Sequence, residues 1–191
     1  MSAGRRPFPR RPARGRGCVV AVQTLAVRVT FLTDFDAEGV LAVEKAVEPS
    51  PLSAPDLAAL RKSPGVNGRI AVTDSGPFAG GRLVGFCLFR LGSRDVELFR
   101  LSVHPGYRRR GAGRALAACV AGLMEAWPRD SVGVTVRERA LGSQLFLHRL
   151  GYRGTGVVRG AFPDTGEDGF RLVYTRPGAP IARGGGPGRA G

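Results

Sequence analysis

Three consecutive arginines and two closely spaced glycines stand between a strand-like run and a helix-like run in Leu101-Ser-Val-His-Pro-Gly-Tyr-Arg-Arg-Arg-Gly-Ala-Gly-Arg-Ala-Leu116. An extended segment ending at Val103 has to break at Pro105, which carries no N–H for a sheet ladder. The chain then crosses a basic loop and enters a helix at Gly111 and Gly113. Residues without side chains let the backbone turn tightly and leave successive N–H groups uncovered. A helix start adds partial positive charge, so this strand–loop–helix unit is suited to cradling a phosphate-bearing ligand. Arg108 opens the loop. Arg109, Arg110, Gly111, Ala112, Gly113 and Arg114 form the candidate binding set.

The charge invites another reading, because the chain of 191 residues carries a net +14. Six arginines lie in residues 1–17 and three in residues 176–191, with no acid in either stretch, so the remainder carries +5. Of the 29 basic residues, only Lys45 and Lys62 are lysines. A charge run without a base-reading motif is usually a solvated face, so specific nucleic-acid binding by the folded part is not expected. Cys18, Cys87 and Cys119 form no C-x-x-C pair, and with two histidines no metal site is expected. Unpaired thiols suit a reducing, cytoplasmic setting. The arginines before Cys18-Val-Val-Ala-Val mimic a signal peptide, but no small-x-small cleavage site follows and no run has the length of a membrane span.

Composition and periodicity divide the chain into an Arg/Pro/Gly-rich tail (1–26), a folded domain (27–176) and a Gly/Pro/Arg tail (177–191), both tails expected to be disordered. Within the domain, strands are expected at 27–33, 68–73, 82–91, 95–103, 131–137, 153–162 and 170–176. Helices are expected at 35–47 (capped by Asp34), from Ser53 or Ala54 to near Pro64, from about Gly111 to Trp127, and at 140–150. Leu116, Val120, Leu123 and Trp127 mark the buried stripe of the third helix. Leu141, Leu145 and Phe146 mark that of the fourth, which Gly151 ends. The fold class is α/β, one mixed sheet of about seven strands with about four helices on its two faces.

Arg108-x-x-Gly111-x-Gly113 resembles motif A of the GNAT acetyltransferases, Arg/Gln-x-x-Gly-x-Gly/Ala. The element order β-α-α-β-β-β-α-β-α-β-β is also that of the family, over residues 27–176. The resemblance implies acetyl-CoA as co-substrate, its pyrophosphate held by the loop. Leu101, Ser102 and Val103 would then track the pantetheine arm, with one of their backbone N–H groups stabilising the carbonyl oxygen. Leu98 to Tyr107, Val134 to Arg137 with Ala140 to Tyr152, and Arg159 to Asp168 resemble segments of the bacterial ribosomal-protein-alanine N-acetyltransferases (the RimI type). That branch implies a protein N-terminus as acceptor, ribosomal proteins among the candidates, with Phe162 at the substrate mouth. A monomer or weak dimer without a membrane partner is expected.

Three positions depart from the family pattern. Thr135 stands where a glutamate base is usual, Ala140 where an asparagine contacts the cofactor, and Leu147 where a tyrosine serves as general acid. Glu97, four residues before Leu101, becomes the candidate base, at the position of the glutamate in the histone-acetyltransferase branch. Alternation is expected to place Glu97, Phe99, Leu101 and Val103 on one apolar face, which would raise the carboxyl pKa. A GNAT acting on lysine or a small amine, a CoA-binding pseudoenzyme, and an arginine-rich adaptor remain open on the residues.

Overall fold

The computed structural model describes residues 26–48, 50–73, 81–126 and 129–176. The two tails, Cys18, Trp127 and most of the turn at 75–81 lie outside the described residues. In chain order the elements are β1 (Val27–Phe31), a 3-10 turn (Asp34–Asp36), α1 (Ala37–Val47), α2 (Ala54–Lys62), β2 (Val66–Thr73), β3 (Arg82–Leu91) and β4 (Asp95–Val103). A second 3-10 turn (Pro105–Tyr107) leads to α3 (Ala112–Ala126), β5 (Ser131–Arg137), α4 (Leu141–Arg149), β6 (Arg153–Phe162) and β7 (Glu167–Thr175). The strands form one sheet in the order β1-β2-β3-β4-β5-β7-β6. Each neighbouring pair is antiparallel except β4 and β5, which run parallel because α3 carries the chain back between them.

Each face of the sheet has its own core. Val96, Leu98, Val132, Val134 and Val136 pack with Leu116, Val120 and Met124 of α3 and Leu147 of α4. On the opposite face Ile70, Val72, Phe86 and Leu88 pack with Val40, Val43 and Leu57 of α1 and α2. Burying each large apolar side chain contributes about 1.5–3 kcal/mol, so the sheet is clamped from both sides. Met124, rather than Leu123, completes the deeply buried stripe of α3; Leu123 is half-buried.

Four local expectations are corrected. Strand β1 ends at Phe31, and Thr33, not Asp34, opens the first helical segment. The Thr33 N–H and hydroxyl both donate to Asp36 Oδ2, at 2.7 and 2.6 Å. Asp34 instead pairs with Arg61 of α2. On α4, Leu141 and Leu145 are exposed and Leu147 is buried. Gln144 donates to the carbonyls of Arg137 and Glu138 at 2.9 and 2.8 Å, which ties the helix entry to β5, and Phe146 and Leu147 pack on the core. Strand β7 starts at Glu167, because Phe162 pairs with Glu167 across a turn that Gly166 closes at φ +68°.

Candidate active site

The parallel ladder between β4 and β5 is short. It runs from Asp95↔Ser131 to Leu98↔Val134, after which β4 continues to Val103 and β5 to Arg137 without pairing. The cause is a bulge in β4. Leu88 pairs with Arg100 and Phe89 with Leu98, leaving Phe99 as the extra residue, and a bulge increases local bend and twist. The strands therefore open a V between them. His104 donates its N–H to Val84 of β3 at 2.9 Å, so alternation turns the N–H groups of Leu101 and Val103 toward the V. Their side chains pack on the α3 face. Ser102 is buried the other way, its hydroxyl 3.3 Å from Glu44 Oε2. Of this trio, backbone and not side-chain polarity lines the opening.

The mouth of the V is the predicted loop. Arg109 adopts φ +63° and Gly111 φ +95°, so the backbone twice enters the left-handed region before α3 begins. Ala115 N–H bonds the Gly111 carbonyl at 2.9 Å, which makes Gly111 the N-cap and leaves the first N–H groups of α3 without helical partners. A Cβ on Gly111 would meet nothing within 4 Å, so the backbone there borders open space. Gly113 has a different duty: a Cβ there would lie 3.3 Å from Phe146 Cζ and 3.6 Å from Val103 Cγ2, so its absence lets α3, α4 and β4 approach. Arg108 folds back, with Nε 3.1 Å from the Val103 carbonyl. Arg109, Arg110 and Arg114 are exposed around the opening, while the Ala112 methyl is buried. Uncovered amides at a helix start, open space at Gly111 and the exposed arginines fit a pyrophosphate-bearing co-substrate such as acetyl-CoA.

Glu97 does not share a face with Leu101 and Val103. The Phe99 bulge reverses the alternation, so Glu97, Phe99, Arg100 and Ser102 face α1 and α2 while Leu98, Leu101 and Val103 face α3. Nor is its surrounding apolar. Glu97 Oε1 accepts from Arg171 Nη1 of β7 at 2.5 Å, and the same nitrogen lies 3.4 Å from Thr135 Oγ1. Thr135 rests over Gly169, where a Cβ would come within 2.5 Å of its Cγ2. Leu147 is in the core.

The same face carries residues that sequence patterns did not single out. Glu44 is fully buried on α1, and burial pushes its carboxyl above the ordinary value while Arg100 and Ser102 pull it back. Arg100 Nη1 stands 3.4 Å from Glu44 and 3.8 Å from Glu48. At the end of β5, Arg137 donates to Asp164 at 2.7 Å and to Thr165 at 2.8 Å, lies 3.6 Å from Glu167, and stacks 4.2 Å from the Phe162 ring centroid. Arg137 thus pins the β6–β7 hairpin beside the V and holds the Asp164 carboxyl below its usual range. Glu167 accepts from the Arg139 N–H at 2.8 Å, and Asp168 accepts from the Gly160 N–H at 2.8 Å and pairs with Arg159. Glu167 and Asp168 therefore staple the hairpin. Arginines abound in this chain, so no local pattern marked Arg100, Arg137 and Arg171.

Among the described residues no group of three or more His, Cys, Asp or Glu side chains is placed to hold a metal ion, and no helix is long and apolar enough to cross a membrane. Comparison with curated proteins gave no match. Similar folds occur in the ribosomal-protein-S18-alanine N-acetyltransferase of Escherichia coli (TM-score 0.68, 19% identity, covering 78% of this chain and 94% of that one). They occur also in NAA60 of Arabidopsis thaliana bound to acetyl-CoA (0.71, 18%, 80% and 100%) and Ard1 of Thermoplasma volcanium (0.67, 18%, 79% and 98%). The family model "Acetyltransferase (GNAT) family" matches residues 46–152, more than half of the sequence. That match places the chain in the GNAT acetyltransferase family, as an acetyl-CoA-dependent N-acetyltransferase.

Proposed function

We propose that this protein acetylates the N-terminal α-amine of a protein, with Glu97 as the base. The observation that carries the reading is the arrangement around the V. The N–H groups of Leu101 and Val103 turn into the V next to the glycine loop, and Glu97 lies on the face of β4 turned toward α1 and α2, paired with Arg171 of β7. The structurally similar proteins include one named for alanine N-acetylation of ribosomal protein S18 and one solved with the bisubstrate analogue CoA-Ac-MVNAL. These resemblances support a peptide N-terminus as acceptor.

Acetyl-CoA supplies a thioester carbonyl already activated toward amines. The amides at Gly111 to Arg114 hold its phosphates, with the cationic rim at Arg109, Arg110 and Arg114. The Leu101 N–H, turned into the V, meets the charge that develops on the carbonyl oxygen and requires no special side chain. Transfer forms the amide C–N bond as the thioester C–S bond breaks. The amine proton passes to Glu97, and the departing thiolate takes a proton from solvent. Holding amine and carbonyl at attack distance supplies much of the rate, which suits a site without the usual acid. Phe162, with Arg137 stacked on its ring, forms the hairpin side of the acceptor mouth. The unpaired thiols fit a cytoplasmic protein.

The test is thiol release from acetyl-CoA with two peptide sets, one with free N-termini and one N-terminally blocked but bearing lysine. Turnover confined to the free N-termini is expected; equal rates on lysine would refute the N-terminal reading.

A further inference from the structure

Arg171 leaves β7, crosses β5 and reaches Glu97 on β4, so one side chain spans three strands at the closed end of the V. The crossing is possible because residue 133 is glycine. A Cβ there would overlap Arg171 Nη2 and lie 2.6 Å from its Cζ. Nη1 serves both Glu97 and Thr135, whereas Nε and Nη2 donate to no protein acceptor among the described residues, although the side chain is only 28% exposed. Those two nitrogens form the side-on fork with which a guanidinium grips a carboxylate through two parallel hydrogen bonds.

The charges around it distinguish this arginine from its neighbours. Arg100 lies between two carboxylates, Glu44 and Glu48, and Arg137 between Asp164 and Glu167. Arg171 has the single carboxylate of Glu97. When Glu97 takes the amine proton, that carboxylate becomes neutral and a partly buried guanidinium loses its counter-charge, which is costly away from water.

We propose that the free edge of Arg171 binds a carboxylate carried by the acceptor next to its reacting amine. An aspartate or glutamate as first residue of a peptide offers that pairing, and so does the α-carboxylate of a free amino acid. Ammonium meets Glu97, carboxylate meets Arg171, and the cluster stays balanced through proton transfer. This inference rests on the reading that Glu97 receives the amine, and it assigns the acceptor class.

The experiment measures kcat/KM on peptides beginning with Asp or Glu against the same peptides beginning with Asn or Gln, which match in shape and lack the charge. A parallel arm offers free aspartate, glutamate and alanine. The full-length chain and its Arg171→Gln and Arg171→Lys variants are compared, with thermal melts to confirm folding. The acidic peptides should lead their amide counterparts at least about tenfold in the unaltered chain, the difference a bidentate ion pair can supply. The lead should vanish in Arg171→Gln and survive in part in Arg171→Lys. Arg171-dependent turnover of free amino acids without turnover of peptides would support the carboxylate site while overturning the peptide reading. Equal rates for acid and amide in the unaltered chain, or a lead that persists in Arg171→Gln, would overturn the proposal. Should Arg171→Gln fail to fold, the acid-to-amide ratios of the unaltered and Arg171→Lys proteins decide.

Discussion

Replacing Gly111 separates two reasons for a glycine in the phosphate loop. Its φ of +95° strains any L-residue, at about 1–2 kcal/mol for a side chain such as alanine. The space around it imposes nothing, because an added Cβ would touch no atom within 4 Å. Gly111→Ala should therefore lower the melting temperature of the ligand-free protein by about 2–8 °C, at about 2–4 °C per kcal/mol for a domain of this size. Gly111→Asn should cost less, since asparagine tolerates positive φ best among L-residues. Both side chains would project into the cradle over the α3 amides. In the unaltered protein, acetyl-CoA at a hundred times its dissociation constant should stabilise by about 2.7 kcal/mol, a rise of about 5–10 °C. A hundredfold loss of affinity leaves about 0.4 kcal/mol at the same concentration, a rise of about 1–2 °C. Differential scanning fluorimetry with and without acetyl-CoA measures both quantities. A folded Gly111→Asn protein that keeps the full ligand shift would show that the phosphates do not lie over this residue.

Glu97→Gln preserves shape and removes basicity, so it should lower kcat about 10²–10⁴-fold at neutral pH while leaving the acetyl-CoA shift unchanged. That deficit should narrow toward pH 9 as more acceptor amine is already neutral; a wild-type kcat from pH 6 to 9 would eliminate Glu97. Gly133→Ala should push Arg171 off Glu97 and cost about 1–3 kcal/mol by overpacking, read as a lower urea midpoint. For Glu44, whose buried carboxyl titrates above its ordinary 4.5, the folded chain keeps a proton that the unfolded chain has lost. Stability contributed by this group is therefore present below 4.5 and lost as pH rises through the folded value, so Glu44→Gln should flatten the decline between the two in a urea series. Cys87, buried and pushed up to about 12, should resist alkylation in the folded protein and react only after unfolding.

Much of the scaffold is local and was legible in the residues. Strand-like runs gave β3, β4, β5 and β6 their limits, because each is bounded by turn residues. The glycine turn ahead of α3 was legible for the same reason: it depends on backbone freedom at Gly111 and a helix start next in sequence. Helix faces were less so. On α4 the apolar residues Leu141, Leu145 and Leu147 satisfy more than one stripe, and the tether from Gln144 to the end of β5 selects the one that buries Leu147.

The face that Glu97 occupies was decided by tertiary structure. One extra residue at Phe99 reverses every side chain before it relative to those after it, and whether β4 carries that bulge depends on its pairing with β3. Glu97 was visible as a carboxylate at a suggestive spacing, but its face, and its partner 74 residues away, came from the sheet order that sets β5 and β7 beside β4. Gly133 had no local reason to be glycine until Arg171 was seen to cross it. Sequence by itself determined the element order and the glycine turn into α3, because both rest on neighbours along the chain. Only the folded sheet decided how Glu44, Glu97, Arg100, Arg137 and Arg171 pair, because those charges come from four separate elements and meet only when the strands are in register.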